Sequence, residues 1–264
     1  MDVSVSEWEQ AEISRSEFEA LHTPAERLIA DENNVARYLN PPRDTAYPLE
    51  YSYSLLGDVS GRAILDFGCG SGENSLLLAR RGARVIGVDI STALLSLASR
   101  RLALNGVGAT ATFIVGSAHD LPLPDNSVDG VLGIAILHHL DLKAAAREVR
   151  RVLKPGGVAI FQEPVRDSAV VRGVRRLIPY RAPDVSPFER PLTTAELKSF
   201  ASDFVVEAWR AFLLPFVSVA QVVPALHRYV HPAYRLSDRM LGLAPVMSRF
   251  AAVRVIALRK PASY

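Results

Sequence analysis

The run Ile64-Leu65-Asp66-Phe67-Gly68-Cys69-Gly70-Ser71-Gly72, followed after one helix-length segment by Val85-Ile86-Gly87-Val88-Asp89, constrains this chain more than any other stretch. An apolar run entering a glycine-rich turn, then a helical pattern, then a second apolar run closing on an acid is the β-loop-α-β opening of a nucleotide-binding α/β fold. Gly68 and Gly70 let the backbone turn tightly and approach a ligand. Asp66, two residues before the first glycine, narrows the ligand: a carboxylate beside that turn repels a dinucleotide's diphosphate and favours a cation. The spacing agrees, because position 73, where the dinucleotide pattern wants Gly or Ala, is Glu73.

The segments around this opening alternate between helix and strand signals. Before it, Trp8, Ala11, Ile13, Phe18 and Leu21 suggest an apolar helical stripe. Thr23-Pro24-Ala25-Glu26 reads as a helix start, Asn40-Pro41-Pro42 breaks the helix, and residues 47–56 resume a helical pattern. After it, residues 73–81 form a helix closed by Gly82, and residues 91–105 a second one with Ser91 as N-cap and Gly106 beyond its end. Residues 110–115 are rich in β-branched side chains and read as the third strand. The fourth, residues 128–137, is apolar almost throughout and so is expected to be buried on both faces. A helix over 142–153 ends at Lys154-Pro155-Gly156-Gly157, and residues 158–162 form the fifth strand with Glu163 at its carboxyl end, where open α/β sheets place their ligands. Residues 166–190 look like an excursion rich in arginine and proline. Thr193-Thr194-Ala195-Glu196 is a capping box opening a helix to about Ser202. Residues 205–212 and 252–258 read as strands, and their connection, about 213–250, is too long for a hairpin loop and must have structure of its own. It opens with an uncharged run, Phe212 to Leu226, shorter than the roughly 20 residues of a spanning helix. No transmembrane segment is expected; core helices or a substrate lid fit the run, and a surface that dips into a membrane is the minority reading.

With DFGCGSG and the acidic end of the next strand, the chain resembles motif I of the class I S-adenosylmethionine (SAM) methyltransferases. The resemblance continues through LPLPDNSVDGV, ILHHL and LKPGG, over about residues 60–165. It implies an α/β fold with a seven-stranded, mostly parallel sheet, the last strand antiparallel. A helical cap over 1–56 would precede a SAM-binding domain over 57–264 that carries a helical insert at about 213–250. SAM bears an ammonium and a sulfonium but no phosphate, in keeping with Asp66. The resemblance puts Asp66, Gly68, Cys69 and Gly70 under the amino-acid part of SAM, gives the ribose hydroxyls to Asp89 with Ile90 beside it, and adds Ile134 to the binding residues. Ser117, Ala118 and His119 fall in the loop that takes the adenine. Where the family usually has a carboxylate after the glycine of that loop, this chain has Ser117, and either Asp120 or the Ser117 hydroxyl substitutes as acceptor.

Composition bounds the function further. A chain of 264 residues with 49% hydrophobic and 22% charged residues is ordinary for a globular protein, and the α/β order argues for one domain with additions. Cys69 is the only cysteine, which excludes an internal disulfide or a cysteine-based metal site and fits a reducing compartment. The acidic N-terminal stretch lacks the apolar core of a signal peptide, so a cytoplasmic protein is expected. The net charge of +2 is unevenly spread, with about 18 Arg or Lys against about 8 Asp or Glu in residues 150–264. The basic residues are scattered singly, without the interleaved aromatics of a nucleic-acid module, and no nucleic-acid partner is expected.

Methyl transfer from a sulfonium is an in-line displacement, so a protein must align donor and acceptor and exclude water, and no metal is required. A base helps when the acceptor is a hydroxyl or an activated carbon; His138, His139 and Glu163 are the candidates. If extended geometry persists to the end of the fourth strand, the two histidines diverge and one of them points towards the pocket; the resemblance implies that it is the first, His138, that faces the acceptor. Residues 40–56 and 213–250 are expected to cover the acceptor. The acceptor is read as a small molecule, with a quinone, polyprenyl or other lipid as the rival. An NAD(P)-dependent oxidoreductase is opposed by Asp66 and Glu73, and a SAM-fold protein that has lost methyl transfer is the remaining class. The oligomeric state is not specified by the sequence.

Overall fold

The computed structural model describes residues 7–168 and 191–262. Seven strands form one sheet: β1 (Ala63–Phe67), β2 (Arg84–Asp89), β3 (Ala111–Val115), β4 (Val128–Ile134), β5 (Leu153–Pro164), β6 (Val205–Phe212) and β7 (Val253–Arg259). Their order is β3-β2-β1-β4-β5-β7-β6. Strands β1 to β5 are parallel, and β7 lies antiparallel between β5 and β6. The chain lays β2 and β3 on one side of β1 and then returns to place β4 on the other. Its direction therefore switches between β1 and β4, where a ligand crevice opens at the carboxyl ends of the strands.

Side-chain alternation divides the core between the two faces. Leu65, Phe67, Val131, Ala159 and Phe161 join one cluster, which α6 (Leu142–Val152) and α7 (Thr194–Phe200) cover with Val149, Leu197 and Phe200. Ile64, Leu132 and Ile160, one residue out of step, join the other. There α2 (Glu32–Leu39), α3 (Pro48–Leu56), α4 (Glu73–Arg80) and α5 (Thr92–Leu104) bring Tyr38, Tyr53, Leu78 and Leu102. Every β1 residue is buried, as an apolar run between two helical layers requires. Ser91 caps α5 by accepting from the Leu94 amide (3.2 Å), and the Thr193/Glu196 capping box forms as its spacing predicts.

Several boundaries depart from the sequence reading. In α1 (Glu7–His22), Phe18 and Leu21 are exposed, so this part of the expected stripe is not what the helix packs with; Glu9 and Ser16 are buried instead. Thr23-Pro24 leads only into a short 3-10 turn, Ala25–Leu28, with no side-chain cap, whereas Asp31 caps α2 by accepting from the Asn33 amide at 2.9 Å. Strand β4 stops at Ile134 because Ala135 adopts a left-handed φ of 54°. Strand β5 starts earlier than expected, at Leu153: the Lys154-Pro155-Gly156-Gly157 run is an irregularity inside it, where pairing jumps from Val128↔Leu153 to Gly130↔Val158. Glu163 is consequently inside β5 rather than beyond it. Most of the arginine-rich excursion, 169–190, lies outside the described residues.

The insert before β7 is helical, as expected: α8 (Pro215–Val222) and α9 (Val230–Leu243) alternate with the 3-10 turns Pro224–Tyr229 and Pro245–Phe250. The Ser237 hydroxyl accepts from the Leu214 amide (2.9 Å) and Arg210 pairs with Asp238 (2.7 Å), fixing α9 to the end of β6. Tyr47, just before α3, reaches the insert with its hydroxyl 2.7 Å from His231 Nδ1 and its ring 4.8 Å from that of Tyr234. Among the described residues no helix is long and apolar enough to cross a membrane.

Candidate active site

A cavity of about 300 Å³ opens at the switch between β1 and β4. Its wall comes from Phe67 to Ser71 after β1, Val88 to Ile90 at the end of β2, Gly116 and Ala118 after β3, and Ala135, Ile136, His139 and Leu140 after β4. Helix α1 closes it with Glu9, Arg15 and Ser16.

The glycine loop is shaped by close approach. Gly68, at φ 71°, donates its N–H to Val88 O (3.0 Å), and a Cβ there would stand 2.5 Å from Ile136 Cδ1. At Gly70 a Cβ would meet nothing within 4 Å, so that side of the loop is open to a ligand. Arg101 of α5, itself buried, holds the loop from behind, donating from Nε to Ser71 O (2.8 Å) and from Nη1 to Arg27 O (3.2 Å).

Asp89 lines the cavity and has its carboxylate oriented by two backbone donors, Gly70 N on Oδ2 and Ser91 N on Oδ1, each at 2.9 Å. Burial pushes its carboxyl up; these N–H donors, and the positive charge of Arg15, pull it back. Ile90 and Cys69 share the lining, and burial pushes the Cys69 thiol up, away from the thiolate form. Asp66 does not line the cavity. It is 1% exposed beneath the loop and accepts from Ser75 Oγ at 2.6 Å; burial pushes its carboxyl up to about 7, partly opposed by that hydroxyl. The expected direct meeting of Asp66 with a ligand cation is therefore replaced by a place in the floor, with its carboxyl turned beneath the loop to the Ser75 hydroxyl. Ile134 likewise does not reach the lining, the cavity starting one residue later at Ala135.

The loop after β3 presents Gly116 and Ala118 to the cavity, whereas the side chains of Ser117 and His119 engage Glu9 of α1. Ser117 Oγ donates to Glu9 Oε1 at 3.1 Å, and His119 Nδ1 lies 3.5 Å from the same oxygen. His119 Nε2 accepts from the Asp141 amide at 2.9 Å. Asp120 is exposed.

After β4 the expectation of diverging histidines fails, for a physical reason. Extended geometry ends at Ala135, and Leu137–His139 form a 3-10 turn, so the two rings lie side by side, tilted by 40° with centroids 4.1 Å apart. His139 lines the cavity; His138 is buried and points its Nδ1 at Glu163 Oε2, 2.9 Å away. Glu163 is 1% exposed, and its Oε1 also accepts from the Ile136 and Leu137 amides at 2.9 and 2.8 Å. It is a clamp on the turn rather than a carboxylate facing the cavity.

Of the candidate residues, the structure brings Gly68, Cys69, Gly70, Asp89, Ile90, Ala118 and His139 onto one cavity and sets Asp66, Ser117, His119, Ile134, His138 and Glu163 behind its wall. Sequence reasoning missed the α1 residues, which no local motif marks. It also missed Arg101, whose signal was present: an arginine in register with Leu94, Leu97 and Ala98 on one helical face. Among the described residues, no group of three or more His, Cys, Asp or Glu is placed to hold a metal ion.

Residues 65–161 match the family model of a methyltransferase domain. Over 107 residues the chain is 44% identical to demethylmenaquinone methyltransferase of Symbiobacterium thermophilum, a match covering 39% of this chain and 43% of that protein. The chain thus spans less than half the length of that relative. It is 32% identical over 188 residues to an uncharacterized methyltransferase of Mycobacterium bovis, covering 71% of this chain and 74% of the relative. The crystal structure of geranyl diphosphate C-methyltransferase from Streptomyces coelicolor A3(2), in complex with Mg²⁺, geranyl diphosphate and S-adenosyl-L-homocysteine, superposes with a TM-score of 0.60 over 98% of this chain and 100% of that one. At 18% identity that likeness concerns the fold. Sheet order, glycine loop, acidic end of β2 and the extent of the Mycobacterium match together show that this chain belongs to the class I S-adenosylmethionine-dependent methyltransferases.

Proposed function

We propose that the chain binds SAM in the cavity at the β1/β4 switch and transfers its methyl group to a small-molecule acceptor. The observation that carries this reading is Asp89, fixed by Gly70 N and Ser91 N at the rim of a glycine loop whose far side is open. A cavity of about 300 Å³ is at the lower end of small-ligand sites and suits one nucleoside-sized cofactor. When bound, SAM supplies a methyl on a sulfonium whose leaving group is already activated.

The chain's own residues supply binding and alignment. The open backbone at Gly70 lies under the amino-acid part, Asp89 accepts from the ribose hydroxyls, and Gly116 and Ala118 flank the adenine. His139 is the candidate to take a proton from the acceptor, and the His138–Glu163 pair holds the turn that presents it. Residues 1–56 act as a cap on a 57–264 catalytic domain. The insert at 213–250 joins that cap over the acceptor side, a reading supported by the Tyr47–His231 contact. The single cysteine supports a reducing compartment such as the cytoplasm.

Calorimetric titration of the full chain tests the cofactor first: SAM is expected to bind one per chain and NADH not at all. Incubation with methyl-labelled SAM and separate phenol, quinol and fatty-acid acceptors then tests transfer by the label found in product. Binding of NADH in preference to SAM would overturn the reading.

A further inference from the structure

We propose that the insert before β7 presents the outward side of α9 as a docking surface for an anionic membrane, which it meets with leucines and arginines carried together on that side. The surface is defined without reference to what fills the cavity at the β1/β4 switch.

The inward sides of α9 are already committed. Tyr47 reaches His231 and Tyr234, the Ser237 hydroxyl accepts from the Leu214 amide, and Asp238 pairs with Arg210. Pro232, Leu236, Arg239 and Leu243, spaced by four, three and four residues, form a stripe on the remaining side, with Arg235 one turn before Arg239. All five are exposed, Leu236 at 53% and Leu243 at 88%. Helix α8 repeats the arrangement. Its Val217 and Ala220 are buried, while Pro215, Val219 and Val222 form an exposed apolar stripe.

A surface helix ordinarily turns its polar side to water, whereas α9 turns leucines outward. Their neighbours indicate what covers them. Residues 213–250 contain four arginines, Arg228, Arg235, Arg239 and Arg249, against one acid, Asp238, which is taken by Arg210. Arg228 and Arg249 lie over the rings of Tyr229 and Phe250, each 4.7 Å from the ring centre. Aromatic rings and arginines that lay their stems on apolar surface are groups that settle at the headgroup level of a bilayer. A second copy of this chain, docking the same stripe in a two-fold pairing, would bring arginines against arginines. RNA would take the arginines and leave the leucines in water. An anionic bilayer satisfies both, with phosphates for the arginines and apolar depth for the leucines.

The test is co-sedimentation of the full chain with phosphatidylcholine vesicles, with and without phosphatidylserine. The wild type is expected to bind the phosphatidylserine vesicles about tenfold or more tightly than the neutral ones, and to lose most of that advantage in ~1 M salt. Arg235→Gln with Arg239→Gln should weaken binding about twentyfold, at about fivefold for each arginine near a charged surface. Leu236→Ser with Leu243→Ser leaves the charge unchanged and should still weaken binding about tenfold. All four positions are exposed, so both double variants should melt within a few degrees of the wild type. Equal binding to both kinds of vesicle, or to neither, would overturn the proposal. So would a loss confined to the arginine variant, which would leave a surface that attracts any polyanion. A wild-type dimer in sedimentation equilibrium that the leucine variant splits would assign the stripe to a second copy of the chain instead.

Discussion

Replacing Asp66 by Asn tests whether the carboxyl under the glycine loop is held against ionisation. Asp66 is 1% exposed, with Ser75 Oγ donating to it at 2.6 Å, and burial raises its carboxyl from an ordinary 3.8 to about 7. Below pH 3.8 both folded and unfolded chains hold this proton. Between 3.8 and 7 only the folded chain does, so stability falls as pH rises; above 7 both have lost it and the loss is complete. Each pH unit inside that window changes stability by about 1.4 kcal/mol, so from pH 5 to pH 8 the wild type gives up about 3 kcal/mol through this group. Asn keeps the oxygen that accepts from Ser75 but has no charge to bury, and any fixed packing cost of its NH₂ is the same at every pH. Urea unfolding of both proteins at pH 5 and pH 8 isolates the effect as the change in their stability difference. The Asn variant should gain about 3 kcal/mol on the wild type between the two pH values. A difference that stays constant would show that Asp66 is ionised throughout and that its burial does not govern its proton.

Three other positions can be tested from the same geometry. Asp89→Ala removes the carboxylate expected to take two ribose hydroxyls, each such bond contributing about 1.5–3 kcal/mol; SAM affinity by calorimetry should fall about tenfold or more, and unchanged affinity would remove Asp89 from the site. Glu163→Ala removes the carboxylate that accepts from the Ile136 and Leu137 amides and faces the His138 ring, and should cost about 3 kcal/mol or more in urea unfolding. Glu163→Gln should cost far less, since an amide oxygen still accepts from both amides and neutral His138 can switch tautomer. Gly72→Ala puts a Cβ 2.7 Å from Ala98 Cβ and 2.9 Å from its Cα at φ 80°; with backbone on the far side and left-handed strain of about 1–2 kcal/mol, a melting temperature lowered by several degrees is expected.

What could be read from the chain beforehand was whatever is local. The glycine loop, the Ser91 cap and the Thr193/Glu196 box are each specified by residues within a few positions of one another, and all three form. Strands β1 and β4 announce themselves as apolar runs because both their faces are covered. Errors collected where distant contacts override local pattern. Strand alternation makes the two histidines diverge, but the clamp that bends Ile136 and Leu137 into a turn is Glu163, some 26 residues away. Asp66 adjoins the loop in sequence, which points it at a ligand, while in the fold Ser75 and the covering layers enclose it. Glu9 and Ser117 are 108 positions apart, and nothing in a helix with exposed Phe18 and Leu21 indicates which of its faces meets the loop after β3.

The position of β7 between β5 and β6 bears on how the protein is made. Among the described residues, strand β6 pairs in the sheet with β7 alone, and β5 has β7 along its outer edge. During synthesis β1 to β5 emerge first and can pair in the order in which they appear, building the cavity's wall from nascent chain. Strand β6 emerges some 40 residues before β7, and while α8 and α9 are being made that ladder cannot form. Until residues 253–259 arrive, β5 keeps an unpaired edge and β6 waits as a free extended segment, both open to pairing with another chain. The last strand therefore closes the sheet from inside its order, and the interval before it appears is when this protein is most exposed to misassembly.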